Sequence, residues 1–82
     1  MQQNKPEKMG QNCVIGENAS IGSHVILGHN CIIEDGVIIG DNSYIDSGAI
    51  LRRGVVLGAD SFVGAHCILG EYQMTTNGSI FS

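Results

Sequence analysis

The chain repeats itself every six residues, and the repeat runs without insertion through twelve hexads. Counted from Met9, the first position holds Met9, Ile15, Ile21, Leu27, Ile33, Ile39, Ile45, Leu51, Leu57, Val63 and Leu69, then lapses at Thr75. The second position is glycine in eight hexads, and the fourth is Asn, Gly or Asp in nine. The fifth is small in every hexad but one, the exception being Gln73. A fixed short period predicts a solenoid, because one hexad cannot bury its apolar residue except against its neighbours.

Each hexad has two chemical halves. Positions five, six, one and two alternate inward and outward, as in Cys13-Val14-Ile15-Gly16, and this predicts a four-residue strand. Positions three and four form a corner. The chain turns sharply at position four, where Gly, Asn and Asp best tolerate left-handed backbone. Three strands and three corners close a coil of 18 residues, so residues 9–80 make about four coils. Parallel strands then stack about 4.8 Å apart. The first eight residues, MQQNKPEK, form a polar tail, and residues 9–82 form the repeat domain. The tail is expected to fray or to fold over the open end of the solenoid.

The pattern resembles the bacterial hexapeptide-repeat family. Three hexads carry the resemblance: Ile15-Gly16-Glu17-Asn18-Ala19-Ser20, Ile39-Gly40-Asp41-Asn42-Ser43-Tyr44 and Leu57-Gly58-Ala59-Asp60-Ser61-Phe62. It implies an all-β fold, a single-stranded left-handed parallel β-helix, which is an exception to the right-handed crossover rule. It also implies an acyltransferase that moves an acyl group from acyl-CoA to an amino or hydroxy sugar, with acyl-CoA as co-substrate and no tightly bound cofactor. A minority of the family resembles zinc-dependent carbonic anhydrases. Other members carry the helix only as a structural or oligomerisation module.

Composition narrows the partners. Charged residues make up 15% of the chain and the net charge is −4. The four basic residues fall in two pairs, Lys5 with Lys8 and Arg52 with Arg53, so no basic face exists for nucleic acid. No apolar run approaches the length of a membrane span. The polar first residues lack the apolar core of a secretory signal, which makes the cytoplasm the expected compartment.

The sixth position should face water, yet Ser20 is its only polar occupant. Val14, Ile32, Ile50 and Ile68 share one face. Ile38, Val56 and Met74 share the second, and Ile26, Tyr44, Phe62 and Ile80 the third. Contiguous apolar faces mark interfaces, and burying one such side chain stabilises by roughly 1.5–3 kcal/mol. A homo-oligomer is expected. The position-two glycines are expected to keep the faces flat for a neighbouring chain. The resemblance implies a trimer.

Residues 18 apart stack in columns. Cys13, Cys31, Ala49 and Cys67 climb the inside of one face. Cys13 and Cys31 lie within disulfide reach, but the favoured expectation is that each is a free inward thiol that suits a crowded interior as a small hydrophobe and is inaccessible as a nucleophile. Glu34 stacks with Arg52, and Asp35, Arg53 and Glu71 stack in the next corner. These are expected to be exposed ion pairs worth under about 1 kcal/mol each.

The three histidines are the candidate general bases. His24 and His66 occupy position four, where histidine is enriched for its tolerance of left-handed backbone. His29 occupies position three, where no backbone demand is evident, and it should project into solvent or a subunit cleft. His29 and His66 share one edge of the prism two coils apart, about 10 Å by strand spacing. The resemblance makes these two the catalytic candidates. The spacing of His24 and His29 is like that of a zinc pair in the carbonic anhydrase-like members. The two fall at successive corners, however, and no metal site is expected, because three nitrogens must converge within about 2.0–2.1 Å of zinc.

No hexad is interrupted by a loop that could grip an acceptor, which keeps the purely structural module as the competing reading. Gln73 and Thr75 place polar groups inward in the last coil, and Phe81 returns to an inward position. The chain ends as the fourth coil closes, leaving strand edges unpaired, as a piece of a longer scaffold would.

Overall fold

The computed structural model describes residues 5–70. Each hexad contributes one two-residue strand: β1 (Lys8–Met9), β2 (Val14–Ile15), β3 (Ser20–Ile21), β4 (Ile26–Leu27), β5 (Ile32–Ile33), β6 (Ile38–Ile39), β7 (Tyr44–Ile45), β8 (Ile50–Leu51), β9 (Val56–Leu57), β10 (Phe62–Val63) and β11 (Ile68–Leu69). Every third strand pairs in parallel, giving the sheets β1-β4-β7-β10, β2-β5-β8-β11 and β3-β6-β9. The register is 18 throughout, as in Ile26↔Tyr44 and Ile39↔Leu57. Three sheets wound by one chain make the expected left-handed parallel β-helix. The described residues complete about three turns rather than four. The expectations for Glu71, Gln73, Met74, Thr75, Ile80 and Phe81 concern residues outside them.

The strands are shorter than the four residues expected. Regular pairing is confined to positions six and one, and the backbone bends away on either side. The ladder nevertheless reaches position two, where Gly16 N–H donates to Ile33 O at 2.7 Å and Gly22 N–H to Ile39 O at 2.8 Å. Pairing also starts ahead of the first hexad, since Glu7 N–H donates to Val25 O at 2.8 Å.

Positions five and one fill the interior. Ile21, Leu27, Ile33, Ile39, Ile45 and Leu51 form one set of buried side chains, and Ala19, Val25, Cys31, Val37 and Ala49 the other. Ser43 is buried among them. Its hydroxyl donates to Gly58 O at 3.3 Å and accepts from Ser61 N–H at 3.1 Å, so the buried oxygen is paired.

The corners behave as position four predicts. Asn12, His24, Asn30, Gly36, Asn42, Gly48, Gly54, Asp60 and His66 all have φ between 60° and 84°. Asn18 is the exception. Its corner closes through Ala19 N–H to Gly16 O at 3.2 Å without a left-handed residue.

Candidate active site

The corners generate the polar chemistry of this molecule. The amide of position three points out of the coil and needs an acceptor. In three corners the acceptor is the position-three side chain of the following coil, 18 residues on. His29 Nδ1 accepts from Gln11 N–H at 2.9 Å, Asp41 Oδ1 from Ser23 N–H at 2.8 Å, and Ser47 Oγ from His29 N–H at 2.9 Å. In two other corners a position-two acid supplies it instead. Asp46 Oδ1 accepts from Ser47 N–H at 2.7 Å, and Glu34 Oε1 from Arg53 N–H at 2.8 Å.

This ladder accounts for Gly10, Gly22 and Gly28, a cause inside the chain that stands beside the flat docking face expected. Each side chain that reaches back must cross position two of the preceding coil. A Cβ on Gly10 would stand 2.5 Å from His29 Nδ1 and 2.8 Å from its Cγ. At Gly40 the obstruction is backbone: an added Cβ would meet Ala59 N and lie 2.5 Å from Gly58 C. At these positions glycine is present because the next coil presses on it, whereas no described atom lies within 4 Å of a Cβ added at Gly58.

The two catalytic candidates sit on one edge, between the sheet of β4-β7-β10 and that of β5-β8-β11. Backbone hydrogen bonds link the rungs of this edge: Gly48 N–H to His29 O at 2.8 Å, and His66 N–H to Ser47 O at 3.0 Å. His29 and His66 are both exposed, but their rings differ. The Nδ1 lone pair of His29 is taken by Gln11 N–H, so the neutral ring carries its proton on Nε2. The outward nitrogen of His29 is therefore a donor. A backbone demand does act on this residue, contrary to the expectation for its position. The His66 ring lies over Gly48, where an added Cβ would contact Nδ1 and stand 2.7 Å from Cε1. No hydrogen bond joins the His66 ring to another described residue.

His24 stands at a different edge, with Nδ1 2.6 Å from Glu7 Oε1. It does not approach His29. Among the described residues no group of three or more His, Cys, Asp or Glu side chains could hold a metal ion.

The face beside the His29–His66 edge carries Tyr44 and Phe62, whose rings stack with centroids 5.5 Å apart. Phe62 is 66% exposed, and Val56 on another face is 65% exposed. The apolar coat on all three faces is thus real. Period reading found these residues but not the stack, whose signal is the spacing of 18 between two outward aromatics. The sheet of β2-β5-β8-β11 bears a groove lined by Val14, Ile32, Glu34, Asp35, Arg52 and Arg53. Arg52 Nε lies 3.5 Å from Glu34 Oε2, the expected pairing, and both side chains are substantially exposed. The Asp35–Arg53 pair is not formed, because the Asp35 carboxylate turns back over Gly16.

Cys13, Cys31 and Cys67 are free thiols. Cys31 is buried and its thiol is pushed up from its ordinary value, first by desolvation. Cys67 is exposed rather than enclosed. The described residues contain no helix, so none is long and apolar enough to cross a membrane.

Neither the curated proteins nor the solved structures include a match to this chain. One family does match, described as bacterial transferase hexapeptide (six repeats), and it does so twice, over residues 8–40 and 36–71. The two matches together cover all eleven strands and their left-handed corners. By its period, its parallel ladders and these matches, the chain belongs to the bacterial transferase hexapeptide-repeat family.

Proposed function

We propose that this chain is an acyltransferase-type scaffold that moves an acyl group from acyl-CoA to an amino or hydroxy sugar, and that it works as a homotrimer. The observation that carries this reading is the conjunction of exposed apolar faces with an edge bearing His29 and His66. When two such faces meet, the edge between them becomes the wall of a cleft. The pantetheine arm lies along the coils, and the acceptor hydroxyl or amine meets a histidine. His66 is the base in this reading, because no described residue hydrogen-bonds its ring nitrogens. His29 is a fixed donor through Nε2. Transferase activity is common in the family, which supports the reaction class.

A second reading has one observation in its favour. Strands recur every six residues through the described chain, with no inserted loop to hold an acceptor. A non-catalytic oligomerisation module would have this form.

Acetyl-CoA separates the two readings. At millimolar concentration it should raise the Tm by several degrees, and with glucosamine as probe acceptor it should release free thiol. An unchanged Tm together with no thiol release would leave the structural module. The interface has its own test. Phe62 and Val56 are exposed in one chain, so Phe62→Asp or Val56→Asp leaves the coil intact while placing a charge in an apolar contact. At least one should reduce the molar mass to that of a single chain by light scattering. An unchanged oligomer in both variants would show that neither face is used.

A further inference from the structure

Cys13 and Cys31 occupy the same inward position in successive coils. The register Val14↔Ile32 places them side by side, and Val14 N–H donates to Cys31 O at 2.9 Å. Neighbouring strands lie about 4.7–4.9 Å apart, inside the Cα separation of about 4.4–6.8 Å that a disulfide spans. The two sulfurs also converge on one oxygen. Cys13 Sγ is 3.1 Å from Gly28 O, and Cys31 Sγ is 3.6 Å from the same atom. Cys67 cannot compete for Cys31, because Ala49 occupies the rung between them. The pair is unequal in access: Cys13 is half-buried, whereas Cys31 is fully buried.

We propose that Cys13 and Cys31 form a reversible redox pair, which a small disulfide such as oxidised glutathione converts to an intramolecular disulfide clamping the first coil to the second. The unequal burial sets the order of events. The Cys13 thiolate attacks one sulfur of oxidised glutathione. The glutathione disulfide breaks, one glutathione leaves as thiolate, and a mixed disulfide forms on Cys13. Cys31 then loses its proton and attacks Cys13 Sγ, and the second glutathione leaves. The two cysteines give up two electrons and two protons, and oxidised glutathione becomes two molecules of reduced glutathione. Burial of Cys31 protects it from the reagent but not from its neighbour. The new bond closes a span of 18 residues, which limits the unfolded chain. Dithiothreitol reverses the reaction.

The test uses the full wild-type chain incubated with oxidised glutathione. Free thiols are then blocked with N-ethylmaleimide, and the protein is cut after glutamate without reduction. Cleavage after Glu7, Glu17 and Glu34 separates the cysteines into fragments 8–17 and 18–34. The expected result is a linked pair of these fragments and a Tm higher by about 10 °C or more, both abolished by dithiothreitol. In Cys13→Ser, Cys31 should remain reduced. Glutathione retained on Cys13 with Cys31 still free would overturn the proposal, as would a link through Cys67 or an unchanged Tm. Equal modification of Cys31 in Cys13→Ser would overturn the order of attack.

Discussion

Gly40→Ala should destabilise the solenoid by about 2–3 kcal/mol, near the upper end of overpacking costs, and lower the Tm by roughly 10–20 °C. The new methyl would meet Ala59 N and stand 2.5 Å from Gly58 C and 2.8 Å from Ala59 Cα. All three atoms belong to the next coil's backbone, so no rotamer change relieves the overlap. The coils must separate locally, and separation weakens the bond from Gly40 N–H to Leu57 O, now 2.9 Å. Gly64→Ala is the control at the same hexad position. The only described atom near its added Cβ is Cys67 Sγ, at an ordinary 3.6 Å. That variant should stay within about 0.5 kcal/mol of the parent, as surface substitutions usually do. Thermal melts of the two variants check the claim. Equal melting temperatures would mean that the next coil does not press on position two.

His66→Asn should cut acyl transfer by about 10²–10⁴-fold, the usual contribution of a positioned general base. Asparagine accepts left-handed backbone, as Asn12, Asn30 and Asn42 do here at equivalent corners, so the fold should survive. His29→Asn should lose far less. A short side-chain oxygen can replace its ring nitrogen in the ladder, because Asp41 Oδ1 already plays that part for Ser23 N–H. Steady-state rates with acetyl-CoA and glucosamine decide between them. Full activity in His66→Asn, with a collapse in His29→Asn, would reverse the assignment.

Most of the fold is legible in the sequence because the period is rigid. Six residues per side leave no freedom in which residue stacks on which, so the register of 18 and the three faces follow directly. The corner rule reads equally well. It accounts for His24 and His66, and it fails at Asn18, where the turn closes without left-handed backbone. The glycines of position two were harder. At Gly10, Gly16, Gly22 and Gly28 the cause is a residue 19 positions on whose side chain folds back across them, at Gly40 it is backbone, and periodicity reports which residues stack without reporting where a side chain turns. The same gap hid the bond from Gln11 N–H to His29 Nδ1, which removes one ring nitrogen from the pool of bases. The strands are shorter than alternation implies for a related reason, since alternation continues where the sheets already bend. The candidate site was legible only as an edge: a sequence places His29 and His66 in one column, and a cleft needs a second chain.

That second chain is the most direct point of attack. Light scattering coupled to size exclusion on the wild-type protein gives the molar mass in solution. The proposed homotrimer predicts about three times the 8.7 kDa of one chain, whereas a stable single chain at micromolar concentration would contradict both the proposed interface and the subunit cleft proposed for catalysis.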